Sequence, residues 1–382
     1  MQNLKNIRAY VAGRGICRVD IAVENGRFSA ISEPSSENGS GLPSGALLVP
    51  GFVDEHVHGA GGADAMDGTQ EALGTIADRL AEEGTTSFLA TTMTQSRENI
   101  CNALSAVREY MNAGREAGAA IVGVHLEGPF ISREYCGAQP PEYILAPSVA
   151  DFCQFNEAAG GNIRIVTLAP EEAGADELIA YLKKHKIVAS VGHTCAKFAD
   201  VERAISLGAC SVTHTYNAQR PLHHREAGVV GAAMLSDKLN CELICDTIHV
   251  CVPAMKLIVK NKPRRKVTLI TDAMRAKGIA DGVSELGGQT VYVKDGQARL
   301  ADGTLAGSVL KMNVAVKNMV EKVGAPIEKA LDFASFNPAK NLHMEKEIGS
   351  VAVGKRADYA VLNENFDVLC TVRNGKIIYK RR

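Results

Sequence analysis

The chain has 382 residues, of which 46% are apolar and 22% charged, with a formal net charge of −1 at pH 7. That length fits one barrel-sized core of roughly 250 residues plus a smaller module, and the composition excludes a disordered chain. The charge balance gives no basic face for nucleic acid, no apolar run is long enough to cross a bilayer, and residues 1–10 lack the apolar stretch of a signal peptide, so a cytoplasmic protein with neither nucleic acid nor membrane as partner is expected.

At the N-terminal end, a strand is predicted over 8–11, followed by a hairpin in which Ile21-Ala22-Val23-Glu24 turns through Asn25-Gly26 into Arg27-Phe28-Ser29-Ala30-Ile31. Asn-Gly between such runs is a strong hairpin signal, because both turn positions need positive φ. The C-terminal end reads alike: a strand over 357–362, then Thr371-Val372-Arg373, Asn374-Gly375 and Lys376-Ile377-Ile378-Tyr379. One small β-module assembled from 1–48 and 345–382, with 49–344 inserted between its halves, is therefore expected.

Within 49–344, strands are predicted at 48–58, 87–92, 121–127, 163–168, 187–193, 211–214, 242–245 and 267–272, with amphipathic helices such as 72–83, 97–113 and 198–207 between them. Eight strands in β/α alternation argue for a parallel (β/α)8 barrel, an open doubly wound sheet being the alternative. A hairpin over 289–300, with Asp295-Gly296 at its centre, interrupts the alternation and leads into Gly303-Thr304-Leu305-Ala306-Gly307-Ser308. The ten cysteines form no Cys-x-x-Cys pair and are expected to be buried thiols rather than disulfides or a metal cluster.

Six of the eight strands end in, or lead into, a residue that binds metal or moves a proton: His56-Val57-His58, His125-Leu126-Glu127, Gly192-His193-Thr194, Thr213-His214-Thr215, Asp246-Thr247-Ile248-His249 and Thr271-Asp272-Ala273. In a barrel the C-terminal strand ends converge on one mouth, so these distant residues are expected to meet. Alone, each has a bland reading: a hydrogen-bonded core histidine, a buried ion pair for Glu127, a helix cap for Asp272. Six such coincidences on one rim are hard to sustain. Imidazoles with a carboxylate suit Zn2+, Fe2+ or Mn2+, and the set has room for one or two ions with Glu127 as a bridge. A bound divalent ion brings the pKa of water towards ~7, and Asp272 at the last strand end is placed to take the water's proton and return it to a leaving amine.

The run Pro50-Gly51-Phe52-Val53-Asp54-Glu55-His56-Val57-His58-Gly59, followed by Gly61-Gly62-Ala63-Asp64, resembles the first-strand signature of the amidohydrolase superfamily. His125-Leu126-Glu127-Gly128-Pro129-Phe130, Thr213-His214-Thr215-Tyr216-Asn217-Ala218 and the loop 303–308 narrow the resemblance to N-acetylglucosamine-6-phosphate deacetylases, and Gly354-Lys355-Arg356-Ala357-Asp358 matches the superfamily's return into its small module. The resemblance implies a barrel with a small β-sandwich, a homodimer, and hydrolysis of an amino-sugar phosphate to glucosamine 6-phosphate and acetate. It implies Glu127, His193 and His214 on the principal metal, His56 and His58 on a second, and Asp272 as general acid and base. Ala138, Gln139, Asn217, Ala218, Arg225, His249, Leu305, Ala306 and Gly307 are implied as substrate contacts.

Three departures from the family pattern stand out. Some members carry Gln-x-Asn in place of His56 and His58 and work with one metal. Gln139 stands where some have histidine. Thr247 stands where glycine is more usual, and a β-branched residue is expected to forbid a turn needing positive φ there. No lysine is placed to form a carbamylated bridge, which favours Glu127 in that role. Competing readings are another amidohydrolase, dihydroorotase-like or specific for N-acetylgalactosamine 6-phosphate, and a catalytically dead barrel acting as a binding scaffold.

Overall fold

The computed structural model describes residues 2–35, 43 and 45–381. Of the segment 1–48 assigned to the terminal module, residues 1, 36–42 and 44 lie outside the described residues. Strands Gln2–Val11, Gly15–Glu24, Arg27–Ser32 and Leu47–Pro50 from one end join Tyr359–Leu362, Val368–Arg373 and Lys376–Lys380 from the other in one seven-stranded sheet. Leu47–Pro50 is the seam, parallel to Gln2–Val11 and antiparallel to Tyr359–Leu362.

Both Asn-Gly turns form as expected, pairing Glu24 with Arg27 and Arg373 with Lys376. All four turn residues have φ between 50° and 74°. The two turns also pack on each other: a Cβ on Gly26 would lie 3.0 Å from the Asn374 carbonyl oxygen, and one on Gly375 would lie 2.9 Å from Val23. Ile21, Val23, Phe28, Leu48, Tyr359, Val361 and Val372 give the module a core of its own.

The barrel strands are Phe52–Val57, Thr85–Thr91, Ala120–Glu127, Ile163–Leu168, Val188–Val191, Ser211–Val212, Asn240–Ile244 and Val267–Ile270, each parallel to the next. They are buried on both faces, which is why they read as near-continuous apolar runs rather than alternating ones. Closure comes just past the strand ends, where the Asp272 amide donates to the His56 carbonyl at 2.9 Å and the His58 amide to the Ala273 carbonyl at 2.8 Å. Those bonds exclude the open sheet.

Outside lie helices such as Gln70–Ala81, Arg97–Ala113 and Phe198–Leu207. Ser96 caps the second by accepting from the Asn99 amide, Gly114 ends it in the left-handed region, and Ile100, Leu104 and Val107 fall on one face against the barrel.

Several expectations need correction. The single strand 48–58 is two strands in two sheets, divided at Gly51, whose amide donates to Asp358 and where a Cβ would overlap Thr86. The strands expected to run to His193, His214 and Asp272 stop at Val191, Val212 and Ile270. All three residues have positive φ, and left-handed backbone cannot extend a ladder. The hairpin over 289–300 is a three-stranded antiparallel sheet, Gly282–Leu286, Gln289–Lys294 and Gln297–Arg299. The cysteines are all free, but only Cys241 and Cys245 are fully buried; six others are half-buried, and Cys153 and Cys251 are exposed.

Candidate active site

The polar strand ends meet at one mouth. Glu127 stands at the centre: its Oε1 lies 3.3 Å from His56 Nε2, 3.3 Å from His193 Nε2 and 3.1 Å from His214 Nε2, and its Oε2 lies 3.2 Å from His58 Nε2. Asp272 Oδ1 is 3.4 Å from Nε2 of both His56 and His58. Two buried triads result, His56–His58–Asp272 and Glu127–His193–His214. Asp272, expected only as a proton carrier, thus also stands within a donor set.

The rings are oriented from behind. His193 Nδ1 donates to the Tyr135 carbonyl at 3.0 Å and His214 Nδ1 to the Asn217 carbonyl at 3.1 Å. Because a carbonyl only accepts, both rings carry a proton on Nδ1 and aim Nε2 at Glu127. His125, two residues before Glu127, is different. Its Nδ1 donates to the Glu55 carbonyl at 3.0 Å and its Nε2 bonds Thr167 Oγ1 at 2.7 Å, so both nitrogens are spent inside the barrel.

Charge is balanced within the cluster. Burial pushes Glu127 up, but the imidazoles of His56, His193 and His214 outweigh it and hold the carboxyl well below its ordinary range. Burial likewise opposes ionisation of Asp272, and His56 and His58 overcome it to bring that carboxyl down to about 2. For His58 burial pulls down while Asp272 and Glu127 hold the ring up at about 9. The imidazoles thus balance two buried carboxylates electrostatically, the work a divalent cation does with the same ligands. His56 Nε2 is buried and lacks a hydrogen-bond partner. Donor types, burial and this orphaned nitrogen all fit a divalent metal.

A cavity of about 380 Å³ opens over the cluster. His58, Glu127, His193, His214 and Asp272 line its floor, while Ala138, Gln139, Asn217, Ala218, His249, Leu305 and Gly307 line its walls. His249 is held by Asp246, which accepts from its Nδ1 at 2.6 Å and from its amide at 2.8 Å. Gln139 lines the wall but has both ends of its amide engaged: Nε2 donates to Glu127 Oε2 at 2.9 Å and Oε1 accepts from the Thr94 amide at 2.7 Å. Ala306 is fully buried among the side chains under the three-stranded sheet, so only its neighbours face the cavity. Arg225 is exposed, bonded to His224 Nε2 at 2.7 Å, and does not line the cavity.

Thr247 adopts φ 71°, the conformation its side chain was expected to forbid. Asp246 Oδ1 accepts from the amides of Ile248 and His249, both at 2.8 Å, and so closes the turn around Thr247. Six of the thirteen non-glycine residues with positive φ among the described residues gather here: His193, His214, Tyr216, Ala218, Thr247 and Asp272.

Sequence reasoning missed Met93, Glu134, Tyr135 and Leu286 on the cavity wall. It also missed Glu242, whose signal was present: a lone acid inside the apolar run Cys241-Glu242-Leu243-Ile244 needs a buried partner.

With this geometry in hand, the comparisons with known proteins are specific. The N-acetylglucosamine-6-phosphate deacetylase of Bacillus subtilis (strain 168) is 45% identical over 366 residues, covering 94% of this chain and 92% of the relative. An N-acetylgalactosamine-6-phosphate deacetylase of Escherichia coli O157:H7 is 38% identical over 322 residues, covering 84% of this chain and 85% of that one. A mutant N-acetyl-D-glucosamine-6-phosphate deacetylase from Mycobacterium smegmatis, solved in complex with N-acetyl-D-glucosamine-6-phosphate, superposes with a TM-score of 0.92 at 31% identity, covering 99% of this chain and 100% of that one. The sequence profile of the amidohydrolase family matches residues 47–378, and the chain belongs to that family.

Proposed function

We infer that this protein hydrolyses the acetamide of N-acetylglucosamine 6-phosphate to glucosamine 6-phosphate and acetate. The observation that carries the reading is the buried Glu127 flanked by two donor triads, with Asp272 at the floor of a cavity sized for a small ligand. The names of the relatives supply the substrate class.

Glu127, His193 and His214 are proposed to hold the principal metal, and His56 and His58, with Asp272 beside them, a second. Zn2+ suits the donors best, with Fe2+ and Mn2+ as alternatives. When bound, a divalent ion supplies Lewis acidity and lowers the pKa of water. Asp272 takes a proton from water as its oxygen bonds to the acetyl carbon, then delivers it to the sugar nitrogen as the C–N bond breaks. Asn217, Ala218, His249, Leu305 and Gly307 are proposed to contact the sugar phosphate. Gln139 enters as the residue steadying Glu127 Oε2, which its engaged amide favours over a sugar contact.

Arg225 does not line the cavity of a single chain, so its assignment to phosphate is tied to the homodimer that the resemblance implies. Ten free thiols support the cytoplasm as its compartment. Among the described residues no helix is long and apolar enough to cross a membrane.

Acetate release should be measured on N-acetylglucosamine 6-phosphate and its galactosamine epimer, before and after chelation and Zn2+ replacement. Faster release from the glucosamine substrate, lost on chelation and restored by metal, is expected. Preference for the galactosamine epimer overturns the substrate, and activity indifferent to chelation overturns the metal.

A further inference from the structure

Glu242 sits in the middle of the seventh barrel strand, Asn240–Ile244, with no solvent exposure. Its Oε2 lies 3.0 Å from His56 Nδ1 and accepts from the His214 backbone amide at 3.1 Å. A single carboxylate oxygen from one strand therefore meets the ring of a first-strand residue and the backbone of a residue just past the end of the sixth strand. A third cluster, His56–His125–Glu242, has no nitrogen of His125 left for a metal, because Glu55 and Thr167 take both.

We propose that Glu242 is a positioning residue: held by the His214 amide, its Oε2 takes the Nδ1 proton of His56 in a hydrogen bond and presents His56 Nε2 to the donor set of His58 and Asp272. The inference rests on the metal reading above. The geometry favours it in three ways. The carboxylate only accepts, so a neutral His56 bonded to it must carry its proton on Nδ1 and leave the Nε2 lone pair facing Glu127 and Asp272. His193 and His214 reach the same orientation through backbone carbonyls, whereas His56 has no such carbonyl and uses this side chain instead. Finally, Glu242 Oε1 is buried without a hydrogen-bond partner. An unsatisfied carboxylate oxygen in a barrel interior weakens the fold, so stability alone does not account for an acid here.

The test compares wild-type protein with Glu242→Gln and Glu242→Met, loading each with Zn2+ and measuring metal content and affinity against a competing chelator. The unfolding of the metal-free proteins is recorded in parallel. Wild type is expected to take up two Zn2+ per chain. Glu242→Gln keeps an oxygen able to accept both N–H groups but loses the charge that makes His56 more basic. It should weaken one of the two ions by ~10-fold and leave the other within about threefold. Glu242→Met removes the acceptor and should weaken the same ion by ~100-fold. That ion should be the one lost from the double variant His56→Ala, His58→Ala. A purely structural Glu242 predicts lower thermal stability with unchanged affinity for both ions. Glu242→Gln alone decides if Glu242→Met does not fold. Both ions held within twofold of wild type, equal weakening of both, or a wild-type chain that takes up a single Zn2+ sinks this inference and leaves metal dependence standing. A wild-type chain that takes up no Zn2+ sinks the metal reading and this inference with it.

Discussion

The terminal sheet and the barrel mouth both depend on left-handed backbone, but different residues carry it. In the sheet, the non-glycine positions in the two hairpin turns are Asn25 and Asn374, each followed by glycine. Asparagine and glycine enter that region at little cost, so the local sequence already agrees with the fold. At the mouth the same region is occupied by His193, His214, Tyr216, Ala218, Thr247 and Asp272. Histidine and aspartate enter it more readily than most, but tyrosine, alanine and β-branched threonine do not. Surrounding structure must impose the conformation, and strain of this kind gathers at sites selected for the direction of a side chain rather than for stability. The comparison separates turns that build the molecule from turns that aim its chemistry.

The largest effect expected from breaking this contrast falls on the mouth. Asp272→Asn keeps the backbone bonds that close the barrel, the amide to His56 and the carbonyl that accepts from Ser308. It removes the carboxylate proposed to take and return the proton. Turnover should fall ~10²–10⁴-fold, the usual cost of losing a general acid–base group, while circular dichroism stays unchanged. Turnover within a few-fold of wild type would remove Asp272 from the chemistry and leave it a structural closure of the barrel.

A smaller effect is expected in the sheet, where Gly26→Ala tests the turn that the sequence made legible. Alanine at φ 74° costs ~1–2 kcal/mol, and its Cβ would crowd the Asn374 carbonyl from 3.0 Å. Denaturant unfolding should register a loss of that order, with kcat unchanged because the turn lies outside the cavity. A fall in kcat as large as the stability loss would show that the sheet and the mouth are coupled and would erase the contrast.

What was legible in the sequence follows the same division. Asn25-Gly26 and Asn374-Gly375 announced their hairpins because turn type is decided by adjacent residues. The helices Arg97–Ala113 and Phe198–Leu207 were read to the residue from their amphipathic apolar period, which is a local property of the sequence. The residues of the buried His/Glu/Asp cluster were legible because strand ends of a barrel share a rim whatever their separation in sequence. Features set by distant contacts were not. Gly51 divides two strands because Thr86 leaves no room for a Cβ and the Asp358 carbonyl takes its amide, neighbours that no window around residue 51 contains. Gln139 was read as a sugar contact, yet Glu127 and Thr94 claim its amide. Thr247 was expected to avoid positive φ on intrinsic preference, and the two amide bonds to Asp246 overrode that preference.

The smallest expected effect sharpens the comparison most, because it asks whether the strain at the mouth is measurable. Thr247 at φ 71° is a β-branched residue in a region such residues rarely enter. Left-handed backbone costs an L-residue ~1–2 kcal/mol, and replacing it with glycine returns that cost less the ~0.5–1 kcal/mol of extra entropy glycine loses on folding. Thr247→Gly should therefore stabilise the protein by ~0.5–1 kcal/mol. Asn374→Gly, the matched change in the sheet, should be near neutral, since asparagine tolerates the conformation already occupied there. The turn around residue 247 is closed by Asp246 accepting from the amides of Ile248 and His249, and neither bond involves the threonine side chain. His249 should then keep its place on the cavity wall, and activity should stay within a few-fold of wild type. Denaturant unfolding of both variants alongside steady-state kinetics decides the matter. A Thr247→Gly protein no more stable than wild type means the turn is not strained. One that is more stable but loses activity by tenfold or more means the threonine itself, and not only the path of its backbone, serves the site.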